Sequence, residues 1–423
     1  MENTKQRYSA LPIIMMFALY FMVSFVTGLQ NPMGVIVKSQ FSVTNFLATL
    51  GNFMVFIAYA LMGMPAGNML QRIGYRKTAL VADVVGLLGV VIIFLSGRIG
   101  GFPLYLFGAF ISGIAICMLN TVVNPLTNAL GGGGRRGNQL IQFGGTFNSL
   151  GATIVPIFVG ALVGNAAQAS ISDATPALVL AMAIFVLAFV VFALVKIPEP
   201  FQTAAAQNVT YERTPWAFRH FLLGCIAIFF YVGVEVGIPN IANLYMTSDN
   251  GLGMDTAVAG TVCGTYWFLM LIGRLIGGFL GMKVGSRPML TFVTTLALAF
   301  VLLAMFLPES TVTMPVFNSN LSFSLEAVRI NLVMLVLCGL CTSVMWGCIF
   351  NLAVEGLGKY TAKASGLFMM MVCGGGILPL IQGYVADHIG YLTSYWVIAL
   401  GIAFMLWYAL IGSKNVNKDI VTE

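Results

Sequence analysis

The sequence predicts an all-α integral membrane protein: twelve transmembrane helices in two pseudo-symmetric six-helix halves. Three observations carry this. Of 423 residues, 59% are hydrophobic and only 8% charged, where a soluble domain carries about 25% charged residues. Apolar runs long enough to cross a hydrocarbon layer of ~30 Å recur twelve times. Two stretches of the first half return in the second.

In order, the spans lie at about 11–36, 46–70, 78–97, 102–127, 140–165, 174–196, 216–243, 254–281, 288–308, 329–353, 363–386 and 391–412. With the N-terminus in the cytoplasm, 17 of the 20 Lys and Arg fall inside, and only Lys38, Arg98 and Arg329 fall outside. That asymmetry fixes the expected orientation, with both termini cytoplasmic. It also reads the net charge of +6 as topology anchors, so no nucleic-acid partner is expected. The longest inward polar stretch, 197–215, divides the chain into a half at 1–196 and a half at 216–423.

The repeat supports that division. "GNMLQRIGYRKTAL" at 67–80 follows span two, and "GGFLGMKVGSRPML" at 277–290 follows span eight. Gly67 aligns with Gly277, Leu70 with Leu280, Lys77 with Arg287 and Leu80 with Leu290. "NPLTNALG" at 124–131 pairs with "NLAVEGLG" at 351–358, which sets Asn124 against Asn351. Parallel half-repeats put a binding site between the halves, near the bilayer midplane.

Enzyme chemistry finds no support. The seven cysteines lie in apolar runs without a CxxC pair, and they read as small buried hydrophobes. His220 and His388 sit near span ends without an evident partner. Neither a metal site nor a cofactor is expected. "GGGGRRG" at 131–137 lacks the GK[ST] ending of a phosphate-binding loop.

The loop "GNMLQRIGYRK", with Gly67, Arg72, Gly74, Arg76 and Lys77, resembles the loop between helices two and three of the major facilitator superfamily. That resemblance covers essentially the whole chain and implies the major facilitator fold. "NTVVNPLTNALG", "GGTFNSLGA", "FFYVGVEVGIPN" and "GGGILP" are similar to strings of the fucose/glucose/galactose cation-symporter family. This narrower likeness implies monosaccharide uptake through a bacterial inner membrane. The chain departs from the family pattern at two acids. Asn120 stands where the family has Glu, and Val35 takes the acidic position of helix one. The carboxylates that the family uses for proton coupling are therefore missing.

Two acids lie clearly within spans, Asp83 and Glu235. A charge at mid-bilayer costs at least ~2.5–3.5 kcal/mol and usually faces a cavity. Glu235, near the middle of span seven, is expected to bind sugar hydroxyls or the coupling cation. Asp83 lies six residues beyond Lys77, about 9 Å along a helix. It reads as a gate residue or as the cation site. Amides hydrogen-bond both ways without the desolvation cost of a charge. The expected sugar ligands are Gln30, Asn31, Asn120, Gln142, Asn148, Asn240, Asn351 and Gln382, together with Glu235. Asn124 shares a helix face with Asn120, and Trp267, Trp346 and Tyr231 offer stacking surfaces.

The sequence thus predicts a monomeric secondary transporter that imports a hexose by alternating access. Its expected partners are the sugar, a coupling proton or sodium ion, and the lipid bilayer. A sugar uniporter, or a carrier of another neutral polar solute or drug, is the alternative. An anion carrier would need central Arg or Lys, and Arg274 reads as lying near the cytoplasmic end of span eight.

Overall fold

A backbone in lipid has no water to satisfy its N–H and C=O groups, so each apolar run must close its hydrogen bonds within itself as a helix. The computed structural model describes residues 10–29, 33, 36–37, 40–43, 45–163, 170–195, 197, 199, 213–248, 251–254, 256–308, 310–317, 322–417 and 420. Its helices follow the expected spans. They are α1 (Ala10–Gly28), α2 and α3 (45–73 and 75–99, the two arms of Asn45–Ile99), α4 (Phe102–Leu130), α5 (Gly134–Val163) and α6 (Thr175–Leu194). After the linker come α7 (Arg219–Thr247), α8 (Thr256–Leu280), α9 (Ser286–Phe306), α10 (Ile330–Val354), α11 (Gly358–Ile389) and α12 (Tyr395–Gly412).

The turn between α2 and α3 rests on a single residue. Gly74 adopts φ 85° and ψ 175°, a region closed to residues with a Cβ. The chain reverses there without a loop of its own. Glu199 secures the turn by accepting the backbone N–H of Tyr75 at 2.7 Å and of Arg76 at 3.0 Å. Arg76 then donates Nε to the carbonyl of Phe192 at 2.8 Å and Nη2 to that of Ala193. The basic loop is thereby tied to the end of α6.

This loop, the 131–137 turn and the 281–287 turn lie at one end of the bundle, called here the basic face. At the other end the structure adds an element that the span reading does not contain. Residues 311–317 and 323–329 pair as the two strands of an antiparallel hairpin, β1 (Thr311–Phe317) and β2 (Phe323–Arg329), in register from Thr311↔Arg329 to Phe317↔Phe323. It leans on α8. The Phe317 N–H donates to Thr265 Oγ1 at 2.8 Å, and the Phe317 ring stacks on Phe268 at 4.4 Å.

The first six helices meet the last six backbone to backbone on the basic side. A Cβ on Gly366 of α11 would lie 2.3 Å from the Gly63 carbonyl oxygen and 2.4 Å from Gly67 Cα, both on α2. Small residues let membrane helices approach backbone to backbone. On the other flank, a Cβ on Gly278 of α8 would lie 2.6 Å from the Phe143 ring, and one on Gly281 would lie 2.8 Å from Gln139 Cα, both on α5.

Candidate functional site

Pro239 sets the interior geometry of α7. Pro239 has no N–H, so the carbonyl of Glu235, four residues earlier, loses its helical donor. Tyr266 of α8 supplies one, its hydroxyl lying 3.2 Å from that carbonyl and 3.1 Å from Thr342 Oγ1 on α10. The α7 break is thus stitched to its neighbours at the level of its one acid.

The Glu235 side chain is paired. Arg274 Nη2 lies 3.1 Å from Glu235 Oε1, and Tyr231 donates its hydroxyl to the same oxygen at 3.0 Å. The expectation for Arg274 is therefore corrected. It is a central residue, 8% exposed, whose long side chain reaches up from the basic end of α8. It also donates Nε to the Ser343 carbonyl at 3.2 Å. Its Nη1 donates to Ser149 Oγ at 2.8 Å, Asn148 Oδ1 at 3.1 Å and the Gly145 carbonyl at 3.2 Å, all on α5.

From Arg274 a polar circuit runs through both sets of helices. Asn148 Nδ2 donates to the Tyr20 carbonyl on α1 at 3.3 Å. The Tyr20 hydroxyl donates to Asn124 Oδ1 on α4 at 2.9 Å. Trp346 Nε1 on α10 donates to the same Asn124 oxygen at 3.1 Å, and its ring meets Tyr231 edge to face at 6.1 Å. Tyr231 returns to Glu235. Asn120 hangs on the circuit's edge, giving Nδ2 to the Tyr59 hydroxyl on α2 at 2.6 Å. Tyr20, Asn124 and Tyr231 are buried, while Asn120, Asn148, Glu235 and Trp346 are half-buried and keep open surface. The result is a set of amides and aromatic rings around one internally balanced charge pair, suited to a neutral, hydroxyl-rich ligand.

Residues 16–378 match the family model of the Major Facilitator Superfamily. The chain belongs to the Major Facilitator Superfamily. Among its relatives, the glucose/galactose transporter of Brucella abortus is 28% identical, over 98% of this chain and 97% of that protein. A putative glucose/galactose transporter of Helicobacter pylori is 30% identical, over 94% and 96%. The crystal structure of the E. coli fucose:proton symporter superposes with a TM-score of 0.79 at 22% identity, covering 96% of this chain and 99% of that one. The facilitator fold is thus that of a multi-pass membrane carrier, not of an enzyme.

Within this facilitator fold the other expected site residues scatter. Gln142 is buried and donates Nε2 to the Val344 carbonyl of α10 at 2.9 Å, a further bond between α5 and the last six helices beside those of Arg274. Asn351 gives Nδ2 to Ser286 Oγ at 2.8 Å and lines a cleft of about 360 Å³ on the basic face, away from the circuit. Gln382 is fully buried, and neither amide atom has a partner among the described residues. Its Oε1 lies 2.5 Å from where a Gly237 Cβ would sit. Asn240 is exposed, one residue past Pro239. Trp267 is 36% exposed and meets Tyr266 edge to face at 5.3 Å. Asp83 is 1% exposed on α3, and both its carboxylate oxygens are without a partner among the described residues. Gln30, Asn31 and Val35 lie outside the described residues. Among the described residues no three His, Cys, Asp or Glu side chains gather as metal ligands. Sequence reasoning missed Arg274, Tyr20, Ser149 and Glu199 as participants. Arg274 alone carried a signal, as a formal charge inside a span.

Proposed function

We propose that this facilitator imports a monosaccharide, a hexose such as glucose, galactose or fucose, across a bacterial inner membrane by alternating access. The basic face is cytoplasmic by the positive-inside rule, with both termini on that side. The halves 1–196 and 216–423 rock about the circuit, and the chain works as a monomer. The observation that carries the reading is the circuit itself. Asn120, Asn124 and Asn148 stand with Tyr231 and Trp346 around a pair whose charges cancel. Such a lining offers donors and acceptors to hydroxyls and rings to a sugar's C–H face. The printed names of its relatives point to the same substrate class.

Coupling to a proton or sodium ion falls on Glu235 first and Asp83 second. Glu235 sits in the circuit, while Asp83 is a buried carboxylate without a partner among the described residues. A second reading, uniport, is favoured by Asn120, the amide that stands where the family has Glu and that donates to Tyr59.

Uptake of radiolabelled hexoses into proteoliposomes tests both. Accumulation under a proton or sodium gradient supports symport, and Glu235→Gln and Asp83→Asn then separate coupling from binding. Equilibration without accumulation supports uniport. Failure of every hexose to enter tight proteoliposomes overturns the sugar reading.

A further inference from the structure

We infer that Arg274 is the latch that holds the basic face closed, and that the charge on Glu235 sets the latch. One guanidinium serves both sides of the molecule. Nη2 binds Glu235 on α7, and Nε binds the Ser343 carbonyl on α10, both among the last six helices. Nη1 reaches across to the Gly145 carbonyl, Asn148 Oδ1 and Ser149 Oγ on α5. The planar fork of an arginine can hold such opposed acceptors at once, which a lysine cannot. The α5–α8 contacts that shut this face, Phe143 against Gly278 and Gln139 against Gly281, lie one to two turns from Arg274 toward the same end.

The carboxylate decides whether this arrangement is stable. Among the described residues, the ionisable groups facing Glu235 are Tyr231 on its own helix and Arg274 and Tyr266 on α8. Arg274 is the one cation among them. With Glu235 ionised, the buried pair is neutral and the latch stays shut. With Glu235 neutralised, the guanidinium is an uncompensated charge at a site that is 8% exposed. A buried ion without its partner is strongly unfavourable. Opening the basic face restores water to it. A cation arriving at Glu235 from the hairpin side would then release the inner gate, which is the order an importer needs. This rests on the transport reading only for its direction. The mechanics belong to the charge pair, and Arg274 is a positioning residue that acts through Glu235 and α5.

The test reads the gate without sugar. Spin labels on Arg136→Cys and Lys283→Cys, both exposed at the basic ends of α5 and α8, report the α5–α8 separation in nanodiscs by electron–electron resonance. The labels go into a background lacking the seven native cysteines. The otherwise unchanged protein is expected to show mainly the short distance. Glu235→Gln should shift most of the population to a longer one. Arg274→Lys, which keeps the charge pair but loses the fork, should fall between. The double variant Glu235→Gln/Arg274→Gln, which has no stranded charge, should be less open than Glu235→Gln alone. A Glu235→Gln protein that stays closed overturns the proposal, and so does a double variant as open as the single one. Sugar uptake by the same proteins judges the transport reading separately.

Discussion

The Tyr266 hydroxyl takes the main-chain carbonyl of Glu235, at 3.2 Å, which Pro239 leaves without its helical donor. One proline thus creates a vacancy beside the central acid, and a residue on the next helix fills it. Tyr266→Phe should strand that carbonyl and weaken the α7–α8 contact by about 1–2 kcal/mol. Thermal unfolding in detergent would read this as a lowered midpoint. Pro239→Ala restores the helical donor, so the same tyrosine change should cost less in that background. Equal losses in both backgrounds would show that Tyr266 acts through packing alone.

Glu199 makes a similar repair at the basic face. Its carboxylate collects the amides of Tyr75 and Arg76 just after the Gly74 reversal. Glu199→Gln keeps the shape but removes the charge that strengthens both bonds. The expected result is faster hydrogen exchange at the Tyr75 and Arg76 amides, with exchange in α9 unchanged. Exchange that does not respond would mean that the turn is held by Arg76 and the α6 carbonyls instead.

The spans were legible because each needs a long apolar run, and lipid allows few other solutions. The site was legible only in part. Asn120, Asn148 and Glu235 stood out because polar groups in apolar runs are expensive. Their partners did not, because a circuit linking Tyr20 to Asn124 and Trp346 joins residues 104 and 222 positions apart. Arg274 was misplaced by counting. It lies six residues from the end of α8, ~9 Å by helical rise, while Glu235 lies sixteen from the start of α7, ~24 Å. Helix ends at unequal depths and the reach of the side chain bring the two together, and neither shows in a one-dimensional count. The hairpin strands at 311–317 and 323–329 escaped for another reason. A search for long apolar runs is blind to two seven-residue strands.

Asn124 Oδ1 receives two donors, Tyr20 from the first six helices and Trp346 from the last six. Trp346→Phe keeps a ring against Tyr231 but deletes the cross-over bond. A single neutral hydrogen bond is worth about 1 kcal/mol, so, for the proposed hexose transport, the half-saturating concentration should rise roughly fivefold. Asn124→Ala removes the acceptor for both donors and should do more. Concentration-dependent uptake in proteoliposomes checks the order, and a Trp346→Phe protein with unchanged saturation would place Trp346 outside the sugar's path.

The α2–α11 seam makes the most direct claim about motion. At Gly366 a methyl group would fall 2.3 Å from the Gly63 carbonyl oxygen and 2.4 Å from Gly67 Cα, all backbone atoms that cannot rotate away. Gly383, on the same helix, has nothing within 4 Å of the equivalent position. Gly366→Ala should therefore prop open the basic face and cut transport by tenfold or more. Gly383→Ala should leave transport within about twofold and, by removing a helical glycine, add up to ~1 kcal/mol of stability. Both proteins should reach the membrane in similar amounts, because the seam in question is one that the proposed alternating access must open anyway. Near-normal transport by Gly366→Ala would mean that α2 and α11 need not close backbone to backbone in the working cycle.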